Sequence, residues 1–252
     1  MAHIKLMSHL VAGYPTDDLS LTAARALVAG GADILEIQLP FSDPSADGPA
    51  IQTACTAVLS RGYRTADGLR LIARLRMEFP QTKIYLMSYG SLVYTPGVAD
   101  FCRRAAESGA NGMIIPDLPF DRDEGLTAAC AANSMVNIPV AAPSMSAERL
   151  RSLAHAGFQY IYAALRVGIT GTDTNIDRST LDFLAKVSEG GSKVYGGFGI
   201  SNGGQARALA QSVEAIVAGS VFVRTITAHK DDKAALAAAV EAKARELTGK
   251  TD

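Results

Sequence analysis

The most informative stretch of the chain runs from Ile34 to Pro49 and reads ILEIQLPFSDPSADGP. It begins with an apolar run, Ile34 to Leu39, that has the length of a β-strand and contains one carboxylate, Glu36. A second carboxylate, Asp47, follows in a loop punctuated by proline and glycine. A buried acid lowers stability unless it is paired or used, and a carboxyl group in a dry site keeps its proton towards neutral pH. The stretch therefore predicts a strand and a loop that carry two carboxylates suited to acid–base chemistry.

Short β-rich runs alternate with longer helical stretches along the whole chain. The predicted strands are Ile4–Val11, Ile34–Leu39, Lys83–Tyr89, Met113–Ile115, Ile138–Ala142, Tyr160–Leu165, Lys193–Tyr195 and Ala215–Val217. A helix-like stretch follows each strand, and Lys233–Leu247 is the clearest helix. Eight such units in 252 residues match a (β/α)8 TIM barrel.

The competing architecture is an open, doubly wound parallel sheet. Such a sheet normally has fewer strands and one glycine-rich phosphate turn near its start. In this chain the glycine-rich segments come late. No linker or charge block divides the sequence, so we expect a single barrel domain over residues 1–252.

Composition and charge argue against several classes of partner and site. The chain is 48% hydrophobic with a formal net charge of -1, which gives no reason to expect nucleic acid or an anionic membrane as a partner. No apolar run approaches the roughly 18 residues of a membrane helix, and the N-terminal stretch fits a first strand better than a signal peptide. The four histidines show no ligand spacing, so we expect no metal site. Three cysteines without metal spacing indicate reduced thiols in a cytoplasmic protein: Cys55, Cys102 and Cys130.

Glu36 and Asp47 form the first candidate site. If Ile34, Glu36 and Gln38 share one face of their strand, that face points into the barrel. Glu36 then projects towards the barrel mouth, where enzymes of this fold place their chemistry. The alternative for Glu36 is a structural pairing with a polar group on a neighbouring strand. For Asp47 the alternative is ordinary turn chemistry, since Asp-Gly before proline is a common turn.

Late glycine-rich turns form the second candidate site. Thr170-Gly171 follows the sixth predicted strand, Gly197–Ser201 with Gly199 follows the seventh, and Gly219-Ser220 ends the eighth. Glycine lets main-chain N–H groups approach an anion, and barrels often bind phosphate in the loops after strands 7 and 8. The alternative for each segment taken alone is a tight turn without a binding role. Together they predict a phosphorylated substrate held by backbone donors without a metal.

Three apolar or aromatic side chains from different strand ends form a third group. Ile114, Tyr162 and Phe198 together could line a pocket for a flat aromatic group. Core packing is the alternative for each of them taken singly.

These motifs resemble those of the tryptophan synthase alpha subunit family over nearly the full length. The strongest match is Asp33–Gln52, where the family form is ELGVPFSDPLADGPxIQ and this chain has EIQLPFSDPSADGPAIQ from Glu36 onward. The supporting matches are Gly13–Pro15, Pro116–Pro119, Gly168–Gly171, Gly197–Ser201 and Gly219-Ser220.

The resemblance implies a (β/α)8 barrel that cleaves indole-3-glycerol phosphate to indole and glyceraldehyde 3-phosphate, a lyase reaction of tryptophan biosynthesis. By motif position, Glu36 matches the acid that protonates indole C3, and Asp47 matches the carboxylate that stabilises positive charge at the indole nitrogen. Tyr162 matches the pocket tyrosine, beside the candidate substrate contacts Ile114, Phe198 and Thr170. The residues that match the phosphate site are Gly171, Gly199, Gly219 and Ser220. The resemblance also implies a beta subunit as partner, in an alpha2beta2 complex. Pyridoxal phosphate is expected only in that partner, and no cofactor is expected in this chain.

The sequence departs from the family form at several positions. His9 stands where the family usually has phenylalanine near the end of strand 1, and Ser45 replaces a leucine. Tyr89–Ser91 lacks an asparagine, and Leu165–Gly171 lacks a serine. Two alternatives therefore stay open: a non-catalytic subunit that activates the beta partner, and a related phosphate-binding barrel enzyme that acts on another sugar phosphate.

Overall fold

The computed structural model of the protein describes residues 3–165, 176–197 and 199–250. Within these ranges, nine parallel strands form one sheet: β1 Leu6–Val11, β2 Ile34–Gln38, β3 Lys83–Met87, β4 Gly112–Ile114, β5 Val136–Asn137, β6 Val140–Ala141, β7 Tyr160–Ala164, β8 Lys193–Gly197 and β9 Ala215–Ala218. Their order in the sheet is β5-β4-β3-β2-β1-β9-β8-β7-β6. The two outermost strands, β5 and β6, are therefore consecutive in the chain.

A proline explains why one barrel strand is divided into β5 and β6. Ile138 and Pro139 lie between them, and proline has no N–H to give to a ladder. The hydrogen bonds nevertheless continue on both sides: Ile138 N–H donates to the Met113 carbonyl (2.9 Å), and the Pro139 carbonyl accepts from Tyr162 N–H (2.9 Å). The segment thus pairs with β4 on one side and β7 on the other. The sheet closes with eight strand positions, which confirms the predicted (β/α)8 barrel and its eight strands and excludes an open sheet.

Helices follow the strands around the barrel. In the described part of the chain they are α1 Asp17–Ala29, α2 Pro49–Leu59, α3 Thr65–Glu78, α4 Gly90–Tyr94, α5 Val98–Glu107, α6 Leu126–Ala132, α7 Ala147–Ala154, α8 Arg178–Ser188, α9 Gly203–Leu209, α10 Ser220–Ala228 and α11 Lys233–Thr248. Short polar side chains begin several of them, as at α1, where the Thr16 hydroxyl accepts from Leu19 N–H. At α9 the side chains of Asn202 and Gln205 form a reciprocal capping box. No described helix is both long enough and apolar enough to cross a membrane.

Alternation along the strands separates two apolar cores. Leu35 and Ile37 pack in the core between sheet and helices, whereas Ile34 packs inside the barrel, as the period of two predicts. Tyrosines fill the amino-terminal end of the interior: Tyr85 and Tyr195 share a hydrogen bond of 2.9 Å, and Tyr195 stacks on Tyr160 at 4.9 Å between ring centroids. Because that end is occupied, the open space of the barrel lies at the carboxyl ends of the strands.

Candidate active site

A cavity of about 260 Å³ occupies the carboxyl-terminal end of the barrel. Seven of the residues predicted from the sequence line it: Glu36, Asp47, Ile114, Tyr162, Gly199, Gly219 and Ser220. The other three, Thr170, Gly171 and Phe198, lie outside the described residues. The structure thus brings carboxylates, apolar wall and late glycines, which are far apart in sequence, to one cavity.

Glu36 projects inward from β2 and meets His9 of β1. The two residues are direct neighbours in the parallel register, and Nδ1 of His9 lies 3.4 Å from Oε1 of Glu36. Each residue is only 4% exposed. Burial disfavours the imidazolium, but Glu36, Asp47 and Gln38 together outweigh it and raise the pKa of His9 above its usual value. Glu36 is therefore paired with a neighbouring strand and also lines the cavity.

Asp47 is buried, which an ordinary turn residue would not be. It is 4% exposed, and its Oδ2 accepts hydrogen bonds from Gln38 Nε2 (2.7 Å) and from the Tyr89 hydroxyl (2.7 Å). Gln52 Nε2 holds the Asp47 main-chain carbonyl at 2.7 Å. Burial raises the pKa of Asp47 above its usual value, while His9 and the two hydrogen-bond donors act in the opposite direction. Donors from β2 and from the end of β3 thus fix this carboxylate in the cavity wall.

The space between the carboxylates and the opposite wall is apolar. Ile114 of β4, Met87 of β3 and Val217 of β9 line it and belong to the interior core. Tyr162 of β7 completes the wall, and burial together with the nearby Glu36 and Asp47 raises its pKa well above the usual value, so its hydroxyl stays protonated. These walls form a slot suited to a flat apolar ring.

Backbone amides approach the cavity at the end of β9. Gly219 is the N-cap of α10, and Ser220, the first residue of that helix, is buried at the cavity edge. The first N–H groups of a helix have no partner within the helix and carry partial positive charge, which favours an anion. Gly199, with a φ of 81°, brings a second backbone segment to the same cavity. The phosphate-binding positions predicted at 199, 219 and 220 therefore lie together.

Three supporting residues were not assigned roles from the sequence. Tyr89 and Gln38 bind Asp47, and His9 contacts Glu36. The sequence signal for Gln38 and Tyr89 was their position at or just beyond the ends of neighbouring strands, and that for His9 was its departure from the family form. Among the described residues, no group of three or more His, Cys, Asp or Glu side chains is arranged to hold a metal ion.

Comparison with known proteins agrees with this geometry. The sequence profile of the family described as tryptophan synthase alpha chain matches residues 2–252. A tryptophan synthase alpha chain of Helicobacter hepaticus is 36% identical over 229 residues, covering 88% of this chain and 86% of the relative. That of Opitutus terrae is 35% identical over 246 residues, covering 97% and 92%.

Solved structures show the same similarity in three dimensions. A chain of Mycobacterium tuberculosis tryptophan synthase superposes with a TM-score of 0.88 at 30% identity, covering 98% of this chain and 92% of that one. A chain of the tryptophan synthase complex from Pyrococcus furiosus superposes with a TM-score of 0.86 at 27% identity, covering 99% and 100%. The chain therefore belongs to the tryptophan synthase alpha chain family.

Proposed function

We propose that the protein cleaves indole-3-glycerol phosphate to indole and glyceraldehyde 3-phosphate, as the alpha subunit of a tryptophan synthase. One observation carries the proposal: two buried carboxylates in unlike surroundings, Glu36 and Asp47, flank an apolar slot, and a helix N-terminus lies at its edge. An acid, a charge stabiliser, a ring pocket and an anion site are the four parts that this cleavage needs.

The bond to be broken joins C3 of the indole ring to the first carbon of the glycerol phosphate chain. Glu36 donates a proton to C3, which makes the ring nitrogen cationic. The hydroxyl group on the chain carbon then loses its proton to the carboxylate, and its electron pair forms the aldehyde C=O. The electron pair of the broken bond returns to the ring and neutralises the nitrogen. One proton enters at C3 and one leaves the hydroxyl, so Glu36 is restored.

Asp47 stabilises the intermediate because its carboxylate can face the cationic ring nitrogen. Its two donors, Gln38 and Tyr89, favour the ionised form in a site where burial opposes it. A fixed negative charge in a dry site stabilises a developing positive charge more than water would. The N-terminus of α10, with Ser220 and the Gly199 turn, binds the phosphate.

The rest of the proposal concerns partner, cofactor and compartment. We assign a beta subunit as partner, supported by the structural neighbours that are chains of tryptophan synthases. The proton transfers above use only side chains of this chain, so we assign it no cofactor and place pyridoxal phosphate in the beta subunit. Free, buried cysteines, including Cys102 and Cys130 with sulfurs 4.0 Å apart, support a reducing compartment such as the cytoplasm. Cell fractionation tests that assignment.

The deciding experiment is a steady-state assay of indole release from indole-3-glycerol phosphate, with and without a beta subunit. Glu36→Gln keeps the shape of the side chain but removes the acid, so kcat should fall by about 10²–10⁴-fold with little change in KM. Glu214→Gln is the matched control, because Glu214 pairs with Lys5 and Lys193 at the opposite end of the barrel. Absence of indole release under both conditions would reject the proposal. If the parent protein releases no indole but both it and Glu36→Gln activate the beta subunit, the protein is instead a non-catalytic activator.

A further inference from the structure

We propose that His9 and Glu36 hold one proton in common, and that His9 is a positioning residue that sets the pH range in which Glu36 can act as an acid. The pairing itself stands on geometry, whereas its catalytic consequence rests on the proposed function. No role in the mechanism above was given to His9, although it lines the same cavity.

The two groups form a close, buried ion pair. Nδ1 of His9 lies 3.4 Å from Oε1 of Glu36, and adjacent strands in register hold both residues. Both side chains are only 5% exposed, so water screens the pair weakly. The remaining polar atoms, Nε2 of His9 and Oε2 of Glu36, are buried and have no hydrogen-bond partner among the described residues. Among the described residues, the His9 ring and the Glu36 carboxyl group are therefore each other's main polar neighbour.

The backbone opposite His9 leaves room for the ring at this place. A methyl group on residue 219 would lie 3.3 Å from Cβ and 3.4 Å from Cγ of His9, a tighter approach than side chains normally make. The absence of a side chain at residue 219 therefore leaves space for the His9 imidazole. A side chain added at residue 219 would contact His9 first.

The charged surroundings of His9 favour one additional proton on the pair. Among the described residues, the carboxylates acting on the ring are Glu36 of β2 and Asp47 of the following loop, and the Gln38 side chain also favours the protonated ring. Gly219, which follows β9, has no side chain, and Tyr162 of β7 keeps its hydroxyl proton. Among the described residues, no cation opposes these groups at the His9 ring.

A single proton on the pair can sit on either His9 or Glu36, which gives two tautomers. It makes either a carboxylate beside an imidazolium or a carboxylic acid beside a neutral imidazole, and the total charge is the same. Entry of an apolar ring removes water and favours the neutral form, in which Glu36 carries the proton that C3 receives. After the hydroxyl proton returns to Glu36, the pair again holds one proton, so atoms and charge balance over the cycle. Two adjoining groups titrate as a unit, so loss of this proton belongs to the pair.

His9→Asn tests the catalytic consequence. Asparagine can still donate a hydrogen bond from the position of Nδ1, but it cannot take up a proton. We expect the basic limb of kcat/KM against pH to move down by about one unit or more, since a carboxyl group alone replaces a pair that also holds an imidazole. KM at the pH optimum should stay within about threefold. A purely structural role would lower activity equally at every pH, and an unmoved limb would overturn the inference.

An NMR titration of the His9 imidazole in the substrate-free protein tests the shared proton without any assay. In the parent protein the pKa of the ring should lie above its ordinary value of about 6.5, because Glu36, Asp47 and Gln38 together outweigh burial. In Glu36→Gln the largest influence, burial, is opposed only by Asp47 and Gln38, so the pKa of the ring should lie below that in the parent protein. Equal titration in both proteins overturns the pairing. If the two groups titrate together but no indole is released, the pairing stands and the proposed reaction is rejected. If indole is released but the basic limb of His9→Asn does not move, the reaction stands and the role of His9 in it is rejected.

Discussion

Replacing Tyr89 with phenylalanine removes a single oxygen atom that donates to Asp47 at 2.7 Å. The ring itself should stay in place, since it is buried and stacks on Phe41 at 5.1 Å between centroids. A hydrogen bond to a charged group contributes about 1.5–3 kcal/mol. At 1.36 kcal/mol per unit, its loss raises the pKa of Asp47 by about 1–2 units beyond the rise that burial already causes. Gln38 still donates to the same oxygen, so the carboxylate keeps one partner.

The activity consequence follows from the role proposed for Asp47. The residue must be ionised to stabilise a cationic ring nitrogen, so the acidic limb of kcat against pH should move up by about 1–2 units in Tyr89→Phe. The assay is indole release over a pH series with saturating substrate. Tyr85→Phe is the matched control, since Tyr85 is a buried tyrosine of β3 whose hydroxyl forms a hydrogen bond of 2.9 Å with the neutral Tyr195 hydroxyl and touches no carboxylate among the described residues. Its acidic limb should coincide with that of the parent protein.

The same substitution has a stability consequence with a defined sign. The pKa of Asp47 is higher in the folded state than in the unfolded state. Between these two pKa values the folded state binds more protons, so the free energy of unfolding falls as pH rises. Tyr89→Phe raises the folded pKa further. In urea unfolding, the free energy of unfolding should therefore fall by about 1.5–3 kcal/mol at pH values well above that pKa, and by less near pH 4. Tyr85→Phe should lose about 0.5–1.5 kcal/mol, equally at both pH values. If the acidic limb and the pH dependence of Tyr89→Phe both match those of Tyr85→Phe, the assigned role of the Tyr89–Asp47 hydrogen bond is wrong.

Two further substitutions test the anion end and the barrel wall. Ser220→Ala removes a buried hydroxyl at the first turn of α10, so KM should rise by about 3–10-fold while kcat changes little, and a fall in kcat at constant KM would contradict binding of phosphate there. Gly197→Ala places a methyl group 2.4 Å from Cβ of Val217 and 2.8 Å from its carbonyl oxygen. Overpacking of this kind costs about 1–3 kcal/mol, measured by urea unfolding, and an unchanged midpoint would show that β8 and β9 separate more easily than their register indicates.

Local sequence patterns determined much of this protein. Alternation of apolar residues in Ile34–Leu39 predicted that Glu36 faces the interior, and it does so because successive side chains of a strand point to opposite faces. The spacing of strand and helix segments predicted the barrel, and the position of the late glycines after the last strands predicted where backbone amides meet the cavity. Each of these properties depends on short-range geometry or on order along the chain, which a sequence contains directly.

Tertiary structure decided which side chains meet. Asp47 reads locally as a turn residue, yet closure of the barrel buries it against Tyr89 and Gln38, which belong to separate segments. His9 reads as a departure from the family, and only the register of β1 against β2 places its ring beside Glu36. Periodicity shows which face a side chain takes but not its neighbour across the sheet. That neighbour is set by register and closure, which arise from many weak contacts summed over the whole chain.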